Sequence, residues 1–355
     1  MIARAIVVAL VLGIVGVQRG EAVPGTSSAV DALTLEQQVG QAIVLSFSGT
    51  TVPGYVSEAL SKRRVAGVIL FGGNVTGPEQ LRSLTRDLRR HGGRPFVAVD
   101  QEGGKVRRLP WAGPSVAQPE QLGRGTVRSD AAAAARALRA AGVTVTFAPV
   151  ADVPSVRGAA LAARSFSRDP DVASAAVRAA VRGWRSGGVA PTAKHFPGLG
   201  AAPANTDDAI VTIGRSRAAL EAVDLPPFQA AIGAGVPLVM VGHARYPALD
   251  RSRIASQSRP ILEGVLRVEL GFRGVVVTDS LEARASLATG SITKVSERAL
   301  RAGADLLLLT GRGSYAPVYA HLLAAARRSR ELRARVREAA ARVLALKARG
   351  ALPPG

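Results

Sequence analysis

The chain of 355 residues contains no cysteine. Disulfides, thiolate metal sites and cysteine nucleophiles are therefore excluded. That absence leaves the compartment open, because an exported protein need not carry disulfides. Aromatic side chains are scarce at 4%, while hydrophobic residues reach 47% through Ala, Val and Leu. Such a chain can bury a large core and is neither disordered nor fibrous. Only four histidines occur, at 91, 195, 243 and 321, and their spacing fits no metal-ligand pattern. No metal and no cofactor is expected. A phosphate-cradling Walker sequence is missing, and Gly72-Gly73 and Gly198-Leu199-Gly200 lack dinucleotide-binding spacing.

Acidic residues are outnumbered by basic ones, 26 to 46, for a formal charge of +20. The bases are spread along the chain without interleaved aromatics, and no nucleic-acid motif accompanies them. Nucleic acid is not an expected partner. The densest cluster, Arg327 to Arg337, reads as the solvent side of late helices. Attraction to a polyanionic wall polymer is the alternative. Long apolar runs are also missing, apart from Ala5 to Val17 behind Arg4. That run is too short to span a bilayer comfortably and resembles a secretory core segment, with Gly20 and Ala22 offering a cleavage site after Ala22. Residues 1–22 are thus expected to be an export signal, or alternatively an uncleaved anchor. Residues 23–350 are expected to form one domain of an exported protein, extracellular or associated with the cell envelope.

What is present is an alternation. Short apolar runs at Ala42–Phe47, Gly67–Phe71, Pro95–Asp100, Thr144–Pro149, Val189–Lys194, Pro237–Val241, Gly274–Asp279 and Asp305–Leu309 are continuous, as in strands buried on both faces. Helical patterns fill most intervals, including Asp130–Ala141, Val172–Ser186, Leu220–Gly233 and Pro260–Leu270, and Ser314–Ser329 and Glu331–Lys347 close the chain. Eight strands with interleaved helices predict an α/β fold, a closed (β/α)8 TIM-like barrel; an open doubly wound sheet is the rival. Polar groups gather at the strand ends: Asp100, Asp152, Lys194 with His195, His243 and Asp279. In a barrel these all fall on the C-terminal face, where active sites are built.

Asp279 closes the run Val275 to Thr278. A carboxylate there is costly unless hydrogen-bonded or functional, and a helix N-cap serves as the competing reading. Asp100 can accept two hydroxyl donors at once, and the following Gly103-Gly104 permits a tight turn close to a ligand. Glu102 reads as structural, and Arg107 or Arg108 can return to the site. Lys194 and His195 place two donors before a Pro-Gly turn, although a lone histidine is often a satisfied core residue.

These fragments also occur in a familiar order. Gly67 to Phe71 with Asn74, Val99-Asp-Gln-Glu-Gly-Gly-Lys-Val106, Phe147 to Asp152 and Arg164-Ser-Phe166 come first. Lys194-His-Phe-Pro-Gly198, Asp224-Leu-Pro-Pro-Phe228, Met240-Val-Gly-His243 and Leu266 to Phe272 running into Thr278-Asp279 follow. From about Leu35 to Leu309 the chain resembles glycoside hydrolase family 3, and most of all its short single-barrel β-N-acetylglucosaminidase branch. The resemblance implies that Asp279 is a nucleophile forming a covalent glycosyl-enzyme intermediate. It implies that Asp100, Arg108, Arg164, Lys194 and His195 hold the terminal sugar, with His243 nearby.

One loop departs from that pattern. The short branch continues Lys-His-Phe-Pro-Gly with His-Gly, and a mobile loop then supplies an Asp and a His as acid/base dyad. Here Leu199-Gly200 follows, then Ala201 to Ala204 and Asn205-Thr206-Asp207-Asp208. Asn205 falls in the place of the dyad Asp, and Asp207 in the place of its His. Asp207 can serve as proton donor if its pKa is raised near ionised Asp279. Asp208 competes with it, and an Asx-rich turn without chemistry is the plain alternative. The expectation is a retaining exo-glycosidase acting on terminal β-linked N-acetylglucosamine of a cell-wall-derived glycan. A β-glucosidase-like enzyme of the same family and a glycan-binding protein without turnover are the rivals.

Overall fold

A computed structural model describes residues 26–92 and 94–348; the expected export signal, residues 1–22, lies outside them. The eight expected strands all form: β1 (Ile43–Ser46), β2 (Gly67–Leu70), β3 (Phe96–Val99), β4 (Val145–Thr146), β5 (Ala190–Phe196), β6 (Leu238–Val241), β7 (Val275–Ser280) and β8 (Leu306–Leu309). They close into a barrel in chain order, β1 pairing with both β2 and β8. Every barrel pairing is parallel. The open-sheet alternative is excluded by this closure.

The continuous apolar runs follow from the pleat. Successive side chains point to opposite faces, so each strand feeds two cores. Val44, Ile69, Phe96, Ala98, Met240, Val275, Val277 and Leu308 fill the barrel interior. Their neighbours Val68, Val97, Val99, Val239, Val241, Val276 and Leu307 pack outward against the helices. Each such side chain contributes roughly 1.5–3 kcal/mol on full burial. Gly67 is required beside Phe96: a Cβ at that position would lie 2.2 Å from the Phe96 carbonyl oxygen.

The outer ring is built mainly from alanine-rich helices that pack closely. Gly183 on the helix Pro170–Ser186 faces the helix Val127–Ala140, where an added Cβ would lie 2.4 Å from the Arg128 carbonyl oxygen. Asp169 caps the first of these helices, accepting from the backbone N–H groups of Asp171 and Val172, with Pro170 at the first position. The continuous helix expected over Leu220–Gly233 is instead broken. Leu225 N–H reaches back to Leu220 C=O, and a new helix starts at Pro226, whose nitrogen has no proton to donate. The segment Pro260–Glu269 is helical as expected but widened in the same way, Leu270 N–H reaching Val265 C=O.

The last helix, Arg330–Ala348, passes beneath the N-terminal ends of the strands. Val343 and Leu346 join the interior cluster, and Lys347 Nζ donates to Gln41 Oε1 at 2.8 Å and lies 5.0 Å from the centre of the Phe96 ring. The barrel therefore has a sealed floor and a single working mouth. Among the described residues no helix is long and apolar enough to cross a membrane.

Candidate active site

The mouth is assembled from the C-terminal ends of β3, β5, β6 and β7 and the loops that follow. After β3 the chain forms a small antiparallel hairpin, Gln101–Gly103 with Val106–Arg107. Its turn uses positive φ at Gly103 and Gly104, and Gly103 sits so close to Val116 that a Cβ would lie 2.2 Å from the Val116 carbonyl oxygen. Asp100 and Glu102, two apart in this extended run, both reach Lys194. The Lys194 Nζ donates to Asp100 Oδ1 at 2.8 Å and lies 2.7 Å from Glu102 Oε1. Burial works against the ammonium, but the charges of Asp100 and Glu102 outweigh it and raise the Lys194 pKa.

Arg164 grips Glu102 with both arms, Nε to Oε2 at 2.8 Å and Nη2 to Oε1 at 2.7 Å. Burial alone would raise the Glu102 pKa; the Lys194 and Arg164 charges and hydrogen bonds bring it down to about 2. Glu102 is thus an ionised organiser of the site, a role hidden in the sequence. Arg164, expected to hold sugar, has two of its donors engaged by Glu102. Arg108 does return to the mouth. Its Nη2 stands 3.8 Å from Asp100 Oδ2, its guanidinium lies over the Phe71 ring at 5.6 Å, and its buried Nε has no protein partner.

Lys194 and His195 are adjacent, yet both reach the mouth. The register of β5 against β6 shifts between Lys194 and Phe196, which interrupts the in-out alternation of a regular strand. Both residues belong to β5 itself, which runs two residues past the expected end; the Lys194–His195 peptide bond is cis. Buried Asp152 then fixes His195. Its carboxylate accepts from His195 Nδ1 at 2.8 Å, from the His195 backbone N–H and from the Leu199 backbone N–H at 2.6 Å. That bond turns His195 Nε2 toward Asp279, 4.0 Å from Oδ2.

Asp279 sits near the end of β7, and its Oδ1 accepts from the Ser280 backbone N–H at 2.8 Å. Burial pushes its pKa up, but the positive fields of His195, His243 and Lys194 and the Ser280 N–H prevail, so the pKa is lowered. Asp279 is thus held as an ionised carboxylate. His243, on the loop after β6, supports it from behind. Its Nε2–H donates to the Ser280 carbonyl at 2.8 Å, and its Nδ1 accepts from Ser256 Oγ at 2.8 Å. Burial lowers the His243 pKa despite the nearby carboxylates.

Asp207 comes from the departing loop. It keeps exposed surface, but the walls of the mouth strip part of its water. This burial, followed by the Asp279 charge, raises its pKa against the opposing pull of Asn205, His195 and His243. Asn205 Nδ2 donates to Asp207 Oδ2 at 3.0 Å, and Asn205 Oδ1 accepts the Asp207 backbone N–H. The loop is an Asx turn, and that turn aims the carboxyl at the mouth. It is tied to the segment after β7: Arg284 N–H donates to Asp207 C=O and Ala285 N–H to Thr206 C=O. Asp208 is exposed, its carbonyl accepting from Arg284 Nη1. Among the described residues no group of three His, Cys, Asp or Glu side chains is placed to hold a metal ion.

The structure thus gathers Asp100, Arg108, Arg164, Lys194, His195, Asp207 and Asp279 in one mouth. Glu102, Asp152 and Ser280 complete it; the sequence signals for the first two were their position just beyond a buried strand and their place in the ordered family fragments. A barrel mouth that sets one carboxyl with a lowered pKa and one with a raised pKa among fixed cations suits a glycoside hydrolase. Residues 34–346 match the Glycosyl hydrolase family 3 N terminal domain, and the chain belongs to that family. A beta-hexosaminidase of Nitrosomonas eutropha is 35% identical over 278 residues, 75% of this chain and 80% of that one. A secreted glycosyl hydrolase of Arthroderma benhamiae is 34% identical over 80% of this chain and 84% of its own. Among solved structures, a family 3 beta-N-acetylglucosaminidase from Paenibacillus superposes with a TM-score of 0.87 at 33% identity. It covers 91% of this chain, which spans 64% of that longer protein. The beta-N-acetylhexosaminidase of Beutenbergia cavernae gives 0.81 at 32% identity, covering 89% and 98%.

Proposed function

We propose that this protein is a retaining exo-β-N-acetylhexosaminidase that removes terminal N-acetylglucosamine from cell-wall-derived glycans, with Asp279 as nucleophile and Asp207 as acid/base. The observation carrying this reading is the placement of Asp279 beside His195 in the mouth, with the Asn205–Asp207 turn held over it, the Asp279 pKa being lowered and the Asp207 pKa raised. A Asp279 carboxylate oxygen attacks the anomeric carbon while the glycosidic bond breaks, and the Asp207 proton passes to the leaving oxygen. Asp207, now ionised, takes a proton from water as that water attacks the anomeric carbon and releases Asp279. Asp100, Lys194, His195 and Arg108 bind the hydroxyls of the terminal sugar; Arg164 acts through Glu102 and its remaining donors. The relatives named for hexosaminidase activity support the choice of sugar. Export through residues 1–22, with 23–350 as the mature domain, is supported by the apolar run and by the relative described as secreted.

The pH dependence has a definite sign. Activity falls as pH drops through the lowered Asp279 pKa, where the nucleophile gains a proton. It falls again as pH rises through the elevated Asp207 pKa, where the acid loses its proton. The test compares wild type, Asp279→Ala and Asp207→Ala on an aryl β-N-acetylglucosaminide, the matching β-glucoside and an unactivated disaccharide. Asp279→Ala is expected to lose all substrates by roughly 10⁴-fold or more. Asp207→Ala is expected to lose about 10²–10⁴-fold on the disaccharide and far less on the aryl glycoside, whose leaving group needs little protonation. Folded wild type that binds the sugar and cleaves nothing would replace this reading with a glycan-binding protein, the role that Asn205 in the place of a dyad aspartate favours. Preference for the glucoside would move the enzyme to the β-glucosidase side of the family.

A further inference from the structure

Four tyrosines occur in the whole chain, and three of them line one cavity outside the mouth. Tyr55 lies on the helix Gly54–Ser61 after β1, and Tyr315 and Tyr319 lie on the helix Tyr315–Arg328 after β8. Between these helices, where the first and last strands meet, is a cavity of about 520 Å³. That volume falls within the range of small-molecule sites. Tyrosines that merely filled a core would leave no such space.

The rings are held in place by their hydroxyls. Tyr315 OH donates to Arg64 C=O at 3.0 Å, Tyr319 OH to Glu36 C=O at 3.2 Å and Tyr55 OH to Ser46 C=O at 3.4 Å. Tyr315 and Tyr319 stand 5.8 Å apart with planes tilted by 36°, and the Arg64 guanidinium lies 5.7 Å from the Tyr319 ring centre. Each ring is therefore oriented in the wall of the cavity. Glu58 and Arg312 are exposed at the rim, where a carboxylate and a guanidinium can meet hydroxyls and an amide. Flat apolar faces combined with polar groups at the edge match an N-acetylated pyranose, which has an apolar C–H face, an acetyl methyl and a hydroxyl rim.

The cavity also adjoins the mouth. Ser46, one of its lining residues, donates through Oγ to Thr310 C=O at 2.8 Å, and Thr310 Oγ1 lies 2.6 Å from Ser280 Oγ, next to Asp279. We propose that this cavity is a second carbohydrate site, holding an N-acetylated sugar unit of the same polymeric glycan whose end is in the mouth. The identity of the sugar rests on the hexosaminidase reading above.

The test uses the full chain with Tyr55→Ala, Tyr55→Phe and Arg312→Ala; both residues are exposed, so these variants keep the core intact. Chitopentaose and an aryl β-N-acetylglucosaminide are the substrates. Tyr55→Ala and Arg312→Ala are expected to raise KM for chitopentaose roughly fivefold, the scale of one aromatic contact, with kcat and all aryl-glycoside kinetics unchanged. Tyr55→Phe, which keeps the ring, is expected to restore wild-type KM. Calorimetry of chitopentaose on an Asp279→Asn background reads the same loss as weaker binding and does not require turnover. Equal losses on both substrates, or unchanged pentaose binding in both variants, overturn the second site. Absence of aryl-glycoside cleavage by wild type overturns only the hydrolase reading, since the calorimetric comparison still decides the cavity.

Discussion

At the C-terminal end of the barrel Lys194, Glu102 and Asp152 are buried, and Asp279 half-buried, among cations and donors; at the N-terminal end Asp305 is buried among Arg267, Arg335 and Arg342. Both ends hold ionised carboxylates against burial. Burial would raise the Asp305 pKa, but the three guanidiniums and the Val276 N–H bring it down to about 2, as Lys194 and Arg164 do for Glu102. The ends differ in what is left over. At the floor both Asp305 oxygens are matched within 3.0 Å by cations. At the mouth Asp207 faces the like charge of Asp279. Buried charge by itself marks structure; buried charge left unbalanced toward an opening marks a site.

That contrast can be broken by experiment, and the largest effect is expected at the floor. Asp305→Ala leaves three guanidiniums without their shared carboxylate and should cost about 3–5 kcal/mol of stability. Chemical denaturation measures this loss, and KM at a permissive temperature should remain at the wild-type value. A changed KM with intact stability would reverse the roles of the two ends. Asp152→Asn at the mouth should act the other way. Loosening His195 beside Asp279 is expected to lower kcat/KM by roughly 10²-fold, the scale of a small misplacement of a working group, with the pH profile altered on its acid side.

The smallest effect sharpens the floor's description. The Lys347 amine, pushed down to about 7 by burial and then by the Arg63 charge, titrates near 10.4 when unfolded. Between these values the unfolded chain binds more protons, so wild-type stability gains from this group as pH rises from about 7 to about 10. Below 7 both states carry the charge, and the folded state bears the full burial penalty. Lys347→Met removes the penalty. Its Tm advantage over wild type should be largest at pH 6, roughly 2–4 °C, and vanish near pH 10. Melting curves at pH 6, 8 and 10 decide this, and a pH-independent difference would show that folding does not lower the Lys347 pKa.

The barrel was readable because its strands are buried on both sides, which writes uninterrupted runs such as Val275–Val276–Val277 and Leu306 to Leu309 into the chain. The strand-end positions of Asp100, Lys194, His195 and Asp279 were readable for the same reason. The break at Leu220–Gly233 was signalled by Pro226-Pro227 but obscured by a helical pattern that continues through it. The ordered family motifs added the expected roles, and the loop Asn205 to Asp208 announced its own departure.

Local composition determined the strands, the intervals, the scarcity of aromatic residues and the identity of each strand-end group, because periodicity and propensity act over a few residues. Only the closed barrel decided which of these groups meet. Glu102 reaches Lys194 and Arg164 across 92 and 62 positions, and Asp152 reaches His195 across 43. The same closure brings Tyr55 to Tyr315 around the cavity between the first and last strands. Such pairings, and the opposed pKa shifts they impose on Asp279 and Asp207, arise from burial and distance in three dimensions, which no stretch of the chain contains by itself.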